Sequence, residues 1–166
     1  MTARADLALP LYRASFGEAL SRLFRKYFVG DGRASRSEFW WPQLLITGLW
    51  LVTYGLSWAG DSVGETAAVF LTVSAIAVAL ATMVLSFGTI ALGVRRLHDA
   101  NVSGWWYLAL LVAGLALRVL APDMVSTVVV TAAFAVIGLL PTSAAGKRFD
   151  EIDSAASEAS IEDGPL

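Results

Sequence analysis

The chain has 166 residues, of which 57% are hydrophobic without counting glycine and 16% are charged, with a formal net charge of −2. A typical soluble domain reaches about 45–50% apolar residues with glycine included, and roughly 25% charged ones. A small domain has too little interior to hide so much apolar surface, which argues against an ordinary soluble fold; global disorder, which needs low hydrophobicity and high net charge, fits no better.

Residues 1–10 read as a flexible N-terminus. The segment 11–29 is amphipathic: Tyr12, Phe16, Ala19, Leu20, Leu23, Phe24, Tyr27 and Phe28 recur at helical spacing, with Arg13, Glu18, Arg22, Arg25 and Lys26 between them. Ser15 and Glu18 form the pattern of a capping box. Such a helix lies in the membrane interface, aromatics toward the bilayer and basic residues toward anionic headgroups, or packs on the end of a bundle. No apolar signal-peptide core precedes Phe39, so the first apolar run reads as an uncleaved anchor.

A spanning helix needs about 20 mostly apolar residues. Four runs qualify as spans, at about 39–60, 66–94, 105–121 and 124–140. Arg118 interrupts the third near its end, where a guanidinium can snorkel to the headgroups. The third and fourth are joined so tightly, through Ala121, Pro122 and Asp123, that a re-entrant hairpin is the alternative there. The fold expected is an all-α polytopic membrane bundle of about four transmembrane helices preceded by an amphipathic interfacial helix, the membrane domain covering 11–149.

Seven basic residues precede the first span, Arg95 and Arg96 follow the second, and Lys147 and Arg148 follow the fourth. The other two connections hold Asp61, Glu65 and Asp123, with Arg118 beside them. The positive-inside rule then puts both termini and the loop after Val94 on the cytoplasmic side. Trp40, Trp41, Trp58, Trp105 and Trp106 fall at span ends as an aromatic belt would; Trp50 does not. The stretch 150–166 holds six acidic residues and no basic one, and reads as a disordered acidic tail.

Two polar clusters stand out. In Gly32-Arg33-Ala34-Ser35-Arg36-Ser37-Glu38-Phe39-Trp40, Ser35 and Glu38 form a second capping-box pattern, but Pro42 then falls inside the helix or, alternatively, begins it. In Arg95-Arg96-Leu97-His98-Asp99-Ala100-Asn101-Val102-Ser103-Gly104-Trp105-Trp106, Arg95, His98 and Asp99 share a helix face. Asp99 is unfavourable at a helix C-terminus and needs a cation, to be drawn from Arg33, Arg36, Arg95 or Arg96. Asn101 can adopt the left-handed turn that ends a helix, and Ser103 can cap the next one. These two ordered motifs resemble a family of small bacterial inner-membrane proteins catalogued as domain of unknown function 805, over about residues 16–149. Asn101 stands where that family usually has glycine, and Gly146-Lys147-Arg148-Phe149-Asp150 matches its closing stretch only in part. The resemblance implies a multispan inner-membrane protein and brings no activity, substrate or catalytic residue.

Arg33, Arg36, Glu38, Arg95, Arg96, His98, Asp99, Ser103 and Trp105 are thus the candidate site, a cytoplasmic rim that either clamps lipid phosphate or fastens helix ends together. The expectation is a non-enzymatic lipid-interacting or membrane-assembly component whose partners are membrane lipids, anionic ones included, or another membrane protein or a second copy. A small transporter or channel is the alternative, and an interfacial enzyme using His98 and Asp99 stands behind it. One histidine and no cysteine leave no multi-histidine or cysteine metal site in the chain, and no cofactor motif or nucleic-acid motif is recognisable.

Overall fold

The computed structural model describes residues 9–150. They form five α-helices and one short 3-10 helix: α1 (Phe16–Arg25), α2 (Arg36–Gly60), α3 (Glu65–Asp99), α4 (Trp105–Leu120), α5 (Asp123–Leu139) and the 3-10 turn (Ala144–Phe149). No strand occurs among the described residues.

The starts of α1 and α2 follow from two capping boxes. Ser15 and Ser35 each accept the N–H of the residue three positions on, and Glu18 and Glu38 reach back to the cap N–H groups. Such a cap contributes about 1 kcal/mol. α1 is shorter than the 11–29 amphipathic segment predicts. Residues 9–15 instead run as a non-helical strap, because Arg13 takes the left-handed conformation at φ 63° and the cap at Ser15 restarts the chain. Pro42 lies inside α2, which settles the choice left open by the sequence. Asn101 ends α3 with φ 61°, as its side chain permits. Ser103 does not cap α4: Gly104 occupies the cap position and makes no side-chain bond.

α2 and α3 pack against each other most extensively, joined by the connection 61–64; α4 and α5 form a second pair. The two pairs meet closely at one end. Gly93 lies so near Tyr107 that a β-carbon there would stand 2.0 Å from the ring, and one on Gly138 would stand 2.7 Å from Trp40. Leu23, Ala34, Phe39, Leu92, Leu97, Tyr107 and Ile137 make the apolar core, all toward this same end.

α3 is long and apolar enough to cross a membrane, and only 11% of its most apolar stretch is buried within the fold. A core helix of a soluble domain would be mostly covered. α2 has the length, but its tryptophans, glycines, Pro42 and Gln43 make it less apolar. α4 and α5 are shorter apolar helices of 16 and 17 residues, about 24 and 26 Å long. The perimeter is apolar: Leu51, Phe70, Val112, Leu115, Val119 and Val128 are all exposed. The interior of the packed end is charged, with Arg33, Glu38, Arg95, Arg96, Asp99 and Asp150 all buried.

Candidate functional site

The capping box at Ser35 does more than start α2. The Glu38 carboxylate accepts the N–H of Ser35 at 2.8 Å and that of Leu11 at 3.1 Å, and pairs with the Arg22 guanidinium of α1. Ser35 Oγ donates to the Leu11 carbonyl at 2.6 Å, Ser37 Oγ accepts the Ala14 N–H at 2.8 Å, and Trp41 Nε1 donates to the Ala14 carbonyl at 2.9 Å. Arg22 also donates to the Leu9 carbonyl. One helix N-terminus thereby holds the strap and α1 together. Glu38 is 1% exposed, and its charge is supported by backbone donors, a guanidinium and the helix dipole.

Asp99, at the end of α3, is the second anchor and is fully buried. Its Oδ2 accepts Arg96 at 2.6 Å and the Thr142 hydroxyl at 2.7 Å. Its Oδ1 faces Arg33 at 3.7 Å and accepts Tyr12 at 3.4 Å. Its backbone carbonyl accepts the Ser143 N–H at 2.8 Å. Asp99 therefore finds two of the four cations considered from sequence. Partial burial, and then the neighbouring Asp99 carboxylate, push the Tyr12 phenol above its usual pKa. The hydrogen bonds to Asp150 raise the Arg33 guanidinium above its own.

Arg36 and Arg96 converge on the C-terminus of α5. Arg36 Nε donates to the Leu140 carbonyl at 3.2 Å and its Nη2 to Leu139 at 3.1 Å; Arg96 Nη2 reaches Leu140 as well. These carbonyls have no helical partner and carry the negative end of the helix dipole, so two guanidinium groups satisfy them. Arg96 is fully buried, whereas Arg36 is exposed.

His98 and Asp99 do not form a pair. His98 Nδ1 meets the Gly32 carbonyl at 3.2 Å, and its ring stacks on Phe149 with centroids 4.1 Å apart and planes at 5°. Arg148 lies 4.7 Å from the centre of the same Phe149 ring. Arg95, one of the four candidate cations for Asp99, makes no ion pair with it among the described residues. Its side chain is completely buried, none of its three nitrogens has a hydrogen-bond partner among the described residues, and its electrostatic neighbours are Glu38 and Arg22. Ser103 and Trp105 lie on the surface outside this knot, Trp105 being 77% exposed.

The knot also takes in residues that the sequence reading left out. Asp150 is no part of a disordered tail: it is buried, and both its oxygens bind Arg33 at 2.7 Å. The remainder of that tail, 151–166, lies outside the described residues, as does most of 1–10. Gly146 packs its backbone against α3, where a β-carbon would meet the His98 carbonyl at 2.5 Å. The signal for this was present in Gly146-Lys147-Arg148-Phe149-Asp150, the stretch that matches the family pattern only in part. Arg22, Tyr12 and Thr142 carry no local signal, because the fold alone brings them to Glu38 and Asp99.

Of the four arginines considered for a phosphate clamp, Arg33 and Arg96 are committed to carboxylates, Arg95 is sealed in, and Arg36 alone is exposed. No group of three or more metal-binding side chains occurs among the described residues.

The chain matches the family model described as Protein of unknown function (DUF805) over residues 27–151. Comparison with curated proteins and with solved structures returns no match. The chain belongs to the DUF805 family. The match begins just after α1 and ends just past Asp150, so both motifs and the closing stretch of the knot fall within it.

Proposed function

We propose that this DUF805 member is a multi-pass protein of the bacterial inner membrane, with α2 to α5 crossing the bilayer, both termini cytoplasmic, and a non-enzymatic role in contact with membrane lipids. The observation that carries this reading is the inverted distribution of polarity. Apolar side chains cover the perimeter of α2 to α5, while buried carboxylates and guanidinium groups fasten the helices at one end. Such a surface suits hydrocarbon, where helices satisfy their own backbone. At about 24 and 26 Å, α4 and α5 fall short of a core of about 30 Å, a mismatch that local thinning and the snorkelling of Arg118 accommodate.

At the knot end, Phe16, Phe24 and Phe28 are exposed, as are Arg13, Arg25, Arg36, Lys147 and Arg148. Aromatic and basic groups together favour an interface with anionic headgroups. α1 nonetheless packs on the bundle through Ala19 and Leu23, so it is an interfacial helix docked on the protein. The separation of His98 from Asp99 removes the dyad an interfacial enzyme would have used.

Membrane residence is tested by alkaline extraction and flotation of the full chain, and lipid contact by native mass spectrometry of the protein released with its surrounding lipids. The reading expects a chain that stays with the membrane and retains anionic lipid through gentle activation, with less retained by an Arg25→Gln/Arg36→Gln variant. Release at alkaline pH contradicts membrane insertion. A lipid-free protein contradicts the lipid role.

A further inference from the structure

Above the knot, between the two helix pairs, lies a cavity of about 480 Å³ walled by α2, α3, α4 and α5. Small-molecule sites typically span about 300–1,000 Å³. Trp50, Met83 and Phe87 line it and are themselves about half exposed, so it opens sideways on the apolar perimeter. On the membrane reading, to which this inference adds a ligand class, whatever enters comes from the bilayer.

The polar groups of the wall divide in two. Ser86 and Thr89 donate to carbonyls of their own helix, as do most of the serines and threonines of α2 and α3. Gln43, Thr47 and Thr131 also line the cavity, and their side chains make no hydrogen bond to any described residue. Gln43 and Thr47 are one helical turn apart on α2. Gln43 lies seven residues beyond the start of α2, which is roughly 10 Å along its axis. An amide left unpaired at that depth is costly, because hydrocarbon offers it nothing to bind. No lysine, arginine, aspartate or glutamate lines the cavity, so a charged head would be desolvated there without a partner.

We infer that this cavity binds a neutral membrane lipid whose head carries carbonyl or hydroxyl oxygen, held by Gln43, Thr47 and Thr131 with its chain along Trp50 and Phe87. The amide supplies two donors and an acceptor, and each threonine a hydroxyl that can do either. An acylglycerol and a long-chain quinone both offer this chemistry.

The test places the full chain in nanodiscs containing one of three photoreactive probes: a diacylglycerol, an isoprenoid quinone or, as charged control, a phosphatidylglycerol. Labelled peptides are then mapped. The inference expects one neutral probe to label residues 43–50 and 83–90 at least fivefold above the charged probe. Unlabelled neutral lipid should compete, and the signal should fall at least fivefold in Gln43→Leu and in Ala135→Trp, which fills the cavity. Whichever neutral probe labels identifies the head. Labelling spread around the perimeter without competition overturns the inference, as does labelling unchanged by both substitutions. If a variant fails to fold, competition on the native chain decides alone. A chain that does not enter nanodiscs overturns this inference together with the membrane reading; a chain that enters and shows no competed label overturns this inference only.

Discussion

Arg33 and Asp150 stand 117 positions apart in sequence and meet in a two-pronged ion pair, Nε to Oδ1 and Nη2 to Oδ2, each at 2.7 Å. The pair ties the segment before α2 to the end of the 3-10 turn. With Gly146 against α3 and Phe149 on His98, it closes the packed end of the fold. Breaking a buried pair by removing one partner costs about 3–5 kcal/mol. Arg33 retains Asp99 nearby, so Asp150→Asn should cost about 3 kcal/mol, at the lower end. Arg33→Lys should also destabilise, since an ammonium cannot reproduce the fork. Thermal unfolding in detergent measures both.

Arg36 and Arg96 bind the same helix end from different environments. Arg36→Gln removes an exposed cation from the α5 carbonyls, an effect of about 0.3–1 kcal/mol. Arg96→Gln leaves Asp99 short of a buried partner and should cost about 3–5 kcal/mol. Raising salt should shrink the Arg36 effect and leave the Arg96 effect largely intact.

Arg95 yields the opposite sign. Its guanidinium is sealed in with no hydrogen bond among the described residues, so its desolvation is poorly compensated. Replacing buried charge with a side chain of similar volume is often stabilising by about 1–4 kcal/mol. Arg95→Met is expected to raise the unfolding temperature. A loss as large as that of Arg96→Gln would show instead that Arg95 has a partner.

Gly146→Ala should loosen the closing turn, because the new methyl would meet the backbone carbonyl of His98 at 2.5 Å, and a carbonyl in a helix has little freedom to move. Overpacking of this kind costs about 1–3 kcal/mol. Faster hydrogen exchange over 143–150, with α2 unchanged, would show it.

Tyr12 supplies the pH dependence. Partial burial and the Asp99 carboxylate raise its pKa in the folded chain, so folding favours the neutral phenol. That contribution is whole below the unfolded value of about 10 and is lost as pH rises through the higher folded value. Unfolding temperature should therefore fall more steeply with alkaline pH in the native chain than in Tyr12→Phe.

Much of this was legible in the sequence, for identifiable reasons. Helical apolar runs are long-period signals, and they gave α2 to α5 to within a few residues. The capping boxes at Ser15 and Ser35 are local, as is the left-handed stop at Asn101. The need of Asp99 for a cation was visible because a carboxylate opposes the dipole at a helix C-terminus. The identity of its partners was not, because Arg33, Thr142 and Tyr12 arrive from three other segments. Arg95 misled for a related reason: sharing a helix face with Asp99 did not bring it into hydrogen-bond reach. The strap at 9–15 was hidden because Tyr12 keeps helical spacing with Phe16 and Ala19 of α1, while Arg13 breaks the helix. The lateral cavity is likewise a product of how two helix pairs diverge, a property of packing that periodicity along one helix does not encode.

The central claim is a multi-pass topology with the charged knot on the cytoplasmic side. Because the native chain has no cysteine, single substitutions report position without background. Ser62→Cys, Pro122→Cys, Ser103→Cys and Ser143→Cys sample the two ends, read with a membrane-impermeant maleimide on intact and permeabilised cells. The account predicts labelling of positions 62 and 122 in intact cells, and of 103 and 143 only after permeabilisation. Labelling of 103 or 143 in intact cells, or protection of 62 and 122, would contradict it.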